Sequence, residues 1–311
     1  MKLTMRMYRD NEDYWKIRTF LREVFLSNGR RQPSWDVVRF DYWRWHGVEN
    51  LMNRPLEEFV YIWETADGRI AAVLNPESQG DAYLQVHPDF RSPALEKEML
   101  ATAEEYLSAK DPSGRRSLTV WALQNDPLRR DLLLSRGYIR GEDTECQRQL
   151  RLDVPIPESS IAQGYSVRSM GDGAELLERC YASGLGFHPD NIQYAVDNRK
   201  DVSWYRNIQN APLYRRDLDI VAVAPDGAVA SFCTVWFDDV TRSAVLEPVA
   251  TVPDHQRRGL GKAVIFEGMR RVRRMGATLA LVSSYSLRAG ALYESVGLKE
   301  ADLNESWVKE F

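Results

Sequence analysis

Cysteine is scarce in this sequence. Its 311 residues contain three, Cys146, Cys180 and Cys233, far apart and without a CxxC pair. That excludes a disulfide framework and a zinc ribbon, leaves no metal to expect, and fits a reducing cytoplasm. The chain also lacks any run of 18 apolar residues, which excludes a spanning helix and a membrane role of that kind. Residues Met1 to Trp15 contain no apolar core of the type a secretory signal needs, so the expectation is a cytoplasmic protein. Neither sign of charge dominates: 41 Lys and Arg stand against 45 Asp and Glu, for a net charge of -4. Global charge therefore gives no reason to expect a nucleic-acid partner. What is present is ordinary for a globular chain, with 44% apolar and 28% charged residues. The length is roughly twice that of a usual ~150-residue domain, so two domains are expected.

The pattern along the chain divides it. The stretch Leu152-Asp-Val-Pro-Ile-Pro-Glu-Ser-Ser160 can continue neither a helix nor a central strand, which sets a linker at 153–163 between domains 1–152 and 164–311. The halves read alike. Each opens with a short alternating strand (residues 2–7; 164–169) followed by an acidic helix start (Asp10, Glu12, Asp13; Asp172). Each then has a hairpin turned on Asp-Gly (Asp67-Gly68; Asp226-Gly227) and a further strand (81–87; 243–252). A long helix, a strand and a short helix ending at glycine close both. Pro88-Asp89 aligns with Pro253-Asp254 at an offset of 253 − 88 = 165, and Gly137 with Gly297 at 297 − 137 = 160. The difference of five falls at the turn Asp111 to Arg116, where an insertion is tolerated. The expected fold class is α/β: two tandem copies of a mixed, mostly antiparallel sheet with helices on both faces.

The chemistry concentrates in Leu246-Glu-Pro-Val-Ala-Thr-Val-Pro-Asp-His-Gln-Arg-Arg-Gly-Leu-Gly-Lys262. A strand runs into a tight turn, and Gln256-x-x-Gly259-x-Gly261 opens a helix. Glycines there let a ligand approach the backbone, and the first N–H groups of the helix point outward at the positive end of its dipole. Such a turn suits a diphosphate. A Rossmann fingerprint would need glycine where Val264 stands, and a Walker A loop would need Ser or Thr where Ala263 stands. Thirty-four residues after Gly259, Tyr293 arrives on a second helix one turn before Gly297.

This combination resembles the GNAT superfamily of N-acetyltransferases. The Gln256-x-x-Gly259-x-Gly261 stretch matches the family's Q/R-x-x-G-x-G/A loop, which binds the pyrophosphate of acetyl-CoA, and Tyr293 matches the tyrosine that protonates the departing thiolate. The resemblance implies acetyl-CoA contacts from Val249, Thr251, Val252, Gln256, Arg257, Arg258, Gly259, Leu260, Gly261, Lys262 and Ser286. At the last of these many members carry Asn, so Ser286 reaches less far. Pro248, inside an expected central strand, is tolerable where that strand parts from its neighbour. The family needs such a parting for pantetheine, with a backbone N–H left to stabilise a developing oxyanion. The amine must be neutral to attack, although a free alkylammonium titrates near ~10. Glu247, beside the acetyl position, is the candidate general base, directly or through water, and Tyr293 the candidate acid.

In the first half Gly259 maps to Ala94, Gly261 to Glu96 and Tyr293 to Leu133, so that half keeps the fold without the cofactor loop. Five aromatics crowd residues 34–46, among them Trp35 and Trp43, and Trp204 and Tyr214 occupy a comparable region later. Core packing is the ordinary role of such residues, yet Trp beside Arg and Asp also grips a cationic amine. They are the candidate acceptor pocket. The run Arg270-Arg271-Val-Arg273-Arg274 reads as a solvated helix end, with one charge available to the CoA 3′-phosphate. The expectation is an acetyltransferase acting on a primary amine of a small molecule or peptide, in a ternary complex, with oligomerisation possible. The alternatives are a non-catalytic acyl-CoA-binding regulator and a mycothiol-synthase-like acyltransferase.

Overall fold

The computed structural model describes residues 2–311 as two compact units. Unit 1 takes the chain up to Gln147 together with Asp302–Phe311, and unit 2 is Arg148–Ala301. The division read from sequence leaves residues 302–311 with the second half, whereas the structure assigns this last strand to the first.

Unit 1 runs β1 (Thr4–Met7), α1 (Asn11–Ser27), α2 (Val37–Tyr42), β2 (Tyr61–Glu64), β3 (Ile70–Asn75), β4 (Asp81–Val86), α3 (Pro93–Tyr106), β5 (Ala109–Lys110), β6 (Arg116–Leu123), α4 (Pro127–Ser135) and β7 (Ile139–Arg151), which carries the chain onward. Helix starts obey capping chemistry: the carboxylates of Asp10 and Asp36 accept from N–H groups of the first turn of α1 and α2, and Ser92 does so for α3. Its sheet has the order β1-β2-β3-β4-β6-β13-β7, where β13 is Glu300–Glu310, antiparallel to β6 from Asn304↔Leu123 to Glu310↔Ser117. Trp307 of β13 is buried in the unit 1 core with Trp63, Ile17 and Leu118, which accounts for the strand's place there.

Unit 2 follows with β8 (Ser166–Ser169), α5 (Ala174–Phe187), α6 (Ile192–Lys200), α7 (Ser203–Gln209), β9 (Asp219–Val223), β10 (Val229–Asp238), β11 (Ser243–Thr251), α8 (Leu260–Arg274), β12 (Leu279–Ser284) and α9 (Leu287–Ser295). The sheet order is β12-β11-β10-β9-β8. The β9–β10 hairpin turns at Gly227, whose φ of 91° a side chain would resist. Leu260, Val264, Met269 and Val272 of α8 form one buried stripe against Ile220, Val235 and Ala280.

Two features of β11 set up the site. It pairs with β12, in parallel, only over Ser243–Val245 against Leu279–Leu281. Beyond that point the strands part. It also bulges against β10: the register shifts between Cys233↔Val249 and Val235↔Leu246, so Glu247 and Pro248 together face Thr234.

Candidate active site

The parted edge of β11 is open to a ligand. Val252 N–H bonds Ala230 O at 3.0 Å, and antiparallel ladders alternate, so the backbone groups of Val249 and Thr251 point away from β10. The Thr251 carbonyl is already taken by Gln256 Nε2 at 3.0 Å. The N–H of Thr251 and both polar groups of Val249 therefore line the side that β12 has left.

A short turn then leads into α8. Gly259, its N-cap, has φ 81°, and a Cβ there would lie 2.7 Å from the carbonyl oxygen of Ser160, so only glycine fits. The first helical bond runs from Ala263 N to Gly259 O, and no side chain caps the N–H groups ahead of it. A Cβ on Gly261 would meet Thr251 Oγ1 at 3.2 Å and Leu292 at 3.4 Å, directed across to α9.

Between these elements lies a cleft of about 700 Å³. Val249, Thr251, Gln256, Arg257, Gly259, Leu260, Gly261, Lys262, Ser286 and Tyr293, all expected site residues, are brought together in its lining. Its walls are polarised. Arg257, Lys262 and Arg288 supply cations at the helix end, and Phe187, Ala250 and Leu292 supply apolar surface. Orphan N–H groups, two glycines and three cations fit the diphosphate of acetyl-CoA. The parted strand fits an extended amide chain beside it.

Tyr293 is buried, and burial first, then the neighbouring Cys233 and Glu247, pushes its phenol well above the ordinary value of 10.0. It is thus held as a proton donor. Glu247 is half-buried at the bulge, outside the cleft lining, with its carbonyl accepting from Trp236 Nε1 at 2.5 Å. Ser286 is the N-cap of α9, accepting from Ala289 N at 3.2 Å, which occupies one of its lone pairs. Gln256 is held at both ends, its Oε1 accepting from Arg288, so its amide braces the turn.

The remaining expected residues lie elsewhere. Val252 is buried and its N–H is committed to β10, so it offers nothing to a ligand; Arg258 turns back to the Asp254 carbonyl at 3.2 Å. Trp35 and Trp43 are each 3% exposed and sit edge to face at 5.6 Å in the unit 1 core. They are packing residues: Trp35, just before α2, lies on Tyr83, and Trp43, just after it, meets Phe59 edge to face. Trp204 packs on Tyr205, and Tyr214 donates a hydrogen bond to Asp219 at 3.0 Å. Asp219, fully buried, also accepts from Tyr205 and Thr234 and pairs with Arg179. That cluster lies under β10 rather than in the cleft. The basic run is likewise distant: α8 has 15 residues, or about 22 Å at 1.5 Å per residue. There Arg270 holds the Pro157 carbonyl, and Arg271 the Asp217 carbonyl.

Sequence reasoning missed Gly186, Phe187, Arg288 and Leu292. For α9 a signal existed, since Arg288 and Leu292 stand four apart on the helix that carries Tyr293. Gly186 and Phe187 carried none, because only the packing of α5 on the sheet brings them there.

Unit 1 repeats the frame with its own residues filling it. Strand β4 pairs with β6 only at Asp81 and Ala82, yet the outward N–H of Val86 bonds Ser34 Oγ at 3.1 Å. At the helix start, Glu96 is fully buried between Arg91 and Arg129 at 2.6 and 3.0 Å. Among the described residues no group of three or more His, Cys, Asp or Glu could hold a metal, and no helix is long and apolar enough to cross a membrane.

Comparison with known proteins agrees with this geometry. The Acetyltransferase (GNAT) family model matches residues 170–298. Mycothiol acetyltransferase of Pseudarthrobacter chlorophenolicus is 22% identical over 78% of this chain and 75% of its own. The same-named protein of Geodermatophilus obscurus is 27% identical over 78% and 79%. Among solved structures, a tandem GNAT protein from the clavulanic acid biosynthesis pathway superposes with a TM-score of 0.69 at 17% identity, covering 99% of this chain and 98% of that one. A GCN5-related N-acetyltransferase from Sphaerobacter thermophilus gives 0.65 at 17%, covering 99% and 95%. Residues 170–298 carry a domain of the Acetyltransferase (GNAT) family, the chain is an acyltransferase, and it shares the tandem GNAT fold.

Proposed function

We propose that unit 2 transfers acetyl from acetyl-CoA to a primary amine of a small molecule or peptide, by direct attack in a ternary complex, and that unit 1 binds no acetyl-CoA. The single observation that carries this reading is convergence on one cleft. The parted edge of β11, the uncapped start of α8 and the buried phenol of Tyr293 all line it.

Acetyl-CoA supplies the activated acetyl group. The orphan N–H groups of α8, with Arg257, Lys262 and Arg288, would hold its diphosphate. The backbone of Val249 and Thr251 would align the chain that carries the thioester, with the Val249 N–H available to a developing oxyanion. Glu247 would take the proton of the attacking amine, directly or through water, and Tyr293 would give its proton to the leaving sulfur.

The test is an amine panel run with wild type and Tyr293→Phe beside CoA titrations of both. An enzyme using this phenol loses turnover while keeping CoA affinity. Binding with no turnover on any amine would instead indicate an acyl-CoA-binding regulator. The curated relatives favour a second acceptor reading, the amine that becomes mycothiol on acetylation. Preference for that amine over the rest of the panel by at least tenfold in kcat/KM would select it.

A further inference from the structure

The residues ahead of β8, of which 153–163 read as a linker in the sequence, form in the structure the back wall of the turn that opens α8. The Ser160 carbonyl fills the space where a Gly259 side chain would stand, 2.7 Å from its Cβ position. Ala162 N–H reaches the Arg258 carbonyl at 3.4 Å. Tyr165 closes the wall. Its hydroxyl shares a 2.9 Å hydrogen bond with His255 Nδ1, its ring meets the imidazole edge to face at 5.8 Å, and the Arg258 guanidinium lies 5.8 Å from the same ring.

The turn needs such support. Arg257 and Gly259 both have positive φ, at 64° and 81°, and the first is costly for a residue with a side chain. No side chain caps α8, so the usual means of fixing a helix start is missing. From the cleft side the turn is held by Gln256, tied to the Thr251 carbonyl and to Arg288. From behind, it is held by Ser160, Ala162 and Tyr165.

We infer that Tyr165, through His255 and Arg258, is a positioning residue that keeps the Gln256–Gly261 turn in the shape that receives the diphosphate of acetyl-CoA. The inference rests on the reading of this cleft as the acetyl-CoA site. It assigns residues 160–165 a part in donor affinity rather than in joining domains. None of them touches the reacting atoms.

The experiment is CoA calorimetry on the full chain, with steady-state kinetics and thermal unfolding alongside. Tyr165→Phe keeps the ring and removes one hydrogen bond, so CoA binding should weaken about fivefold. KM for acetyl-CoA should rise with it, while kcat at saturation stays within about twofold. Tyr165→Ala removes the ring as well and should weaken binding by more than tenfold, on the order of a lost cation–π contact added to the lost bond. His255→Ala breaks the same bond from the other side. The double variant Tyr165→Phe/His255→Ala should bind like the weaker single variant, within about twofold, because both remove one interaction. Wild-type affinity in the three variants carrying a change at Tyr165 would overturn the inference, as would multiplicative losses in the double variant. A fall in kcat with KM unchanged would also overturn it. Failure of the wild-type chain to bind CoA at all would sink the reading of the cleft and this inference with it.

Discussion

Gly261→Glu imitates in unit 2 what unit 1 already has at Glu96, and it tests the site with little damage to the fold. Gly259 is the poorer target: with φ 81° and the Ser160 carbonyl 2.7 Å from its Cβ position, any side chain there distorts the turn itself. Gly261 lies in ordinary helix, and its added Cβ would meet only the tips of Thr251 and Leu292, at 3.2 and 3.4 Å. The carboxylate would reach into the space between α8 and α9. Two unit charges 4 Å apart repel by about 1 kcal/mol in water and about 4 kcal/mol at the effective dielectric of a protein surface. That range corresponds to roughly fivefold to a thousandfold in affinity. A diphosphate carries more than one charge, so a loss of at least tenfold is expected. Gly261→Ala, which adds the methyl without the charge, should lose less than about threefold, in line with a minor steric adjustment. Calorimetric titration with CoA reads both affinity and stoichiometry. Wild type should bind one CoA per chain, since Glu96 and Ser34 already fill the corresponding positions of unit 1. Equal affinity in wild type and Gly261→Glu would refute the placement of the diphosphate. Two sites per chain would refute the account of unit 1.

Further outcomes follow from the same geometry. Tyr293→Phe should lower kcat by about a hundredfold or more, the usual contribution of a positioned acid, with CoA affinity unchanged in calorimetry. Because burial raises the phenol above 10.0, the wild-type kcat profile should show no loss of the Tyr293 proton up to that pH. Glu96→Gln should destabilise unit 1 by roughly 3 kcal/mol or more, the cost of breaking a buried pair, read as a shift in the urea unfolding curve. Burial alone would raise the Glu96 pKa, but Arg129 and Arg91 outweigh it and hold it below 4.5. Its folded-state pKa is thus depressed, so its contribution is full above the unfolded value and fades as pH falls through the folded one. Glu96→Gln should flatten that acid slope. Asp219→Asn leaves Arg179 buried against a neutral partner and should cost about 3–5 kcal/mol in the same measurement. Trp43→Leu should cost stability, by about 3 kcal/mol for a truncated core aromatic, without changing KM for any amine acceptor.

The sequence disclosed the parts of this molecule that depend on local geometry. A glycine that must adopt positive φ, a helix start without a capping residue and a tyrosine at fixed spacing are written in short segments of sequence, and the cleft assembles from them. Pro248 worked similarly, since a proline in an expected central strand implies a break in pairing, and β11 does leave β12 after Val245. Sidedness across the fold was not legible in the same way. An aromatic at 35, 43, 204 or 214 reads identically whether it faces a pocket or a core, and only the tertiary contacts each ring makes decide. The buried charges show the same limit from the other direction. Asp219 and Arg179 are forty residues apart, and nothing local announces that three hydroxyls and a guanidinium converge on one carboxylate. Their location bears on the chemistry nonetheless. Thr234, which donates to Asp219, stands opposite the bulge formed by Glu247 and Pro248, so the cluster fixes β10 where β11 must deviate. A strand edge can present free N–H groups to a ligand only if the neighbouring strand cannot slide to cover them. In unit 2 β12 has left β11 after Val245 and that edge stays open, whereas in unit 1 the hydroxyl of Ser34 covers the corresponding edge.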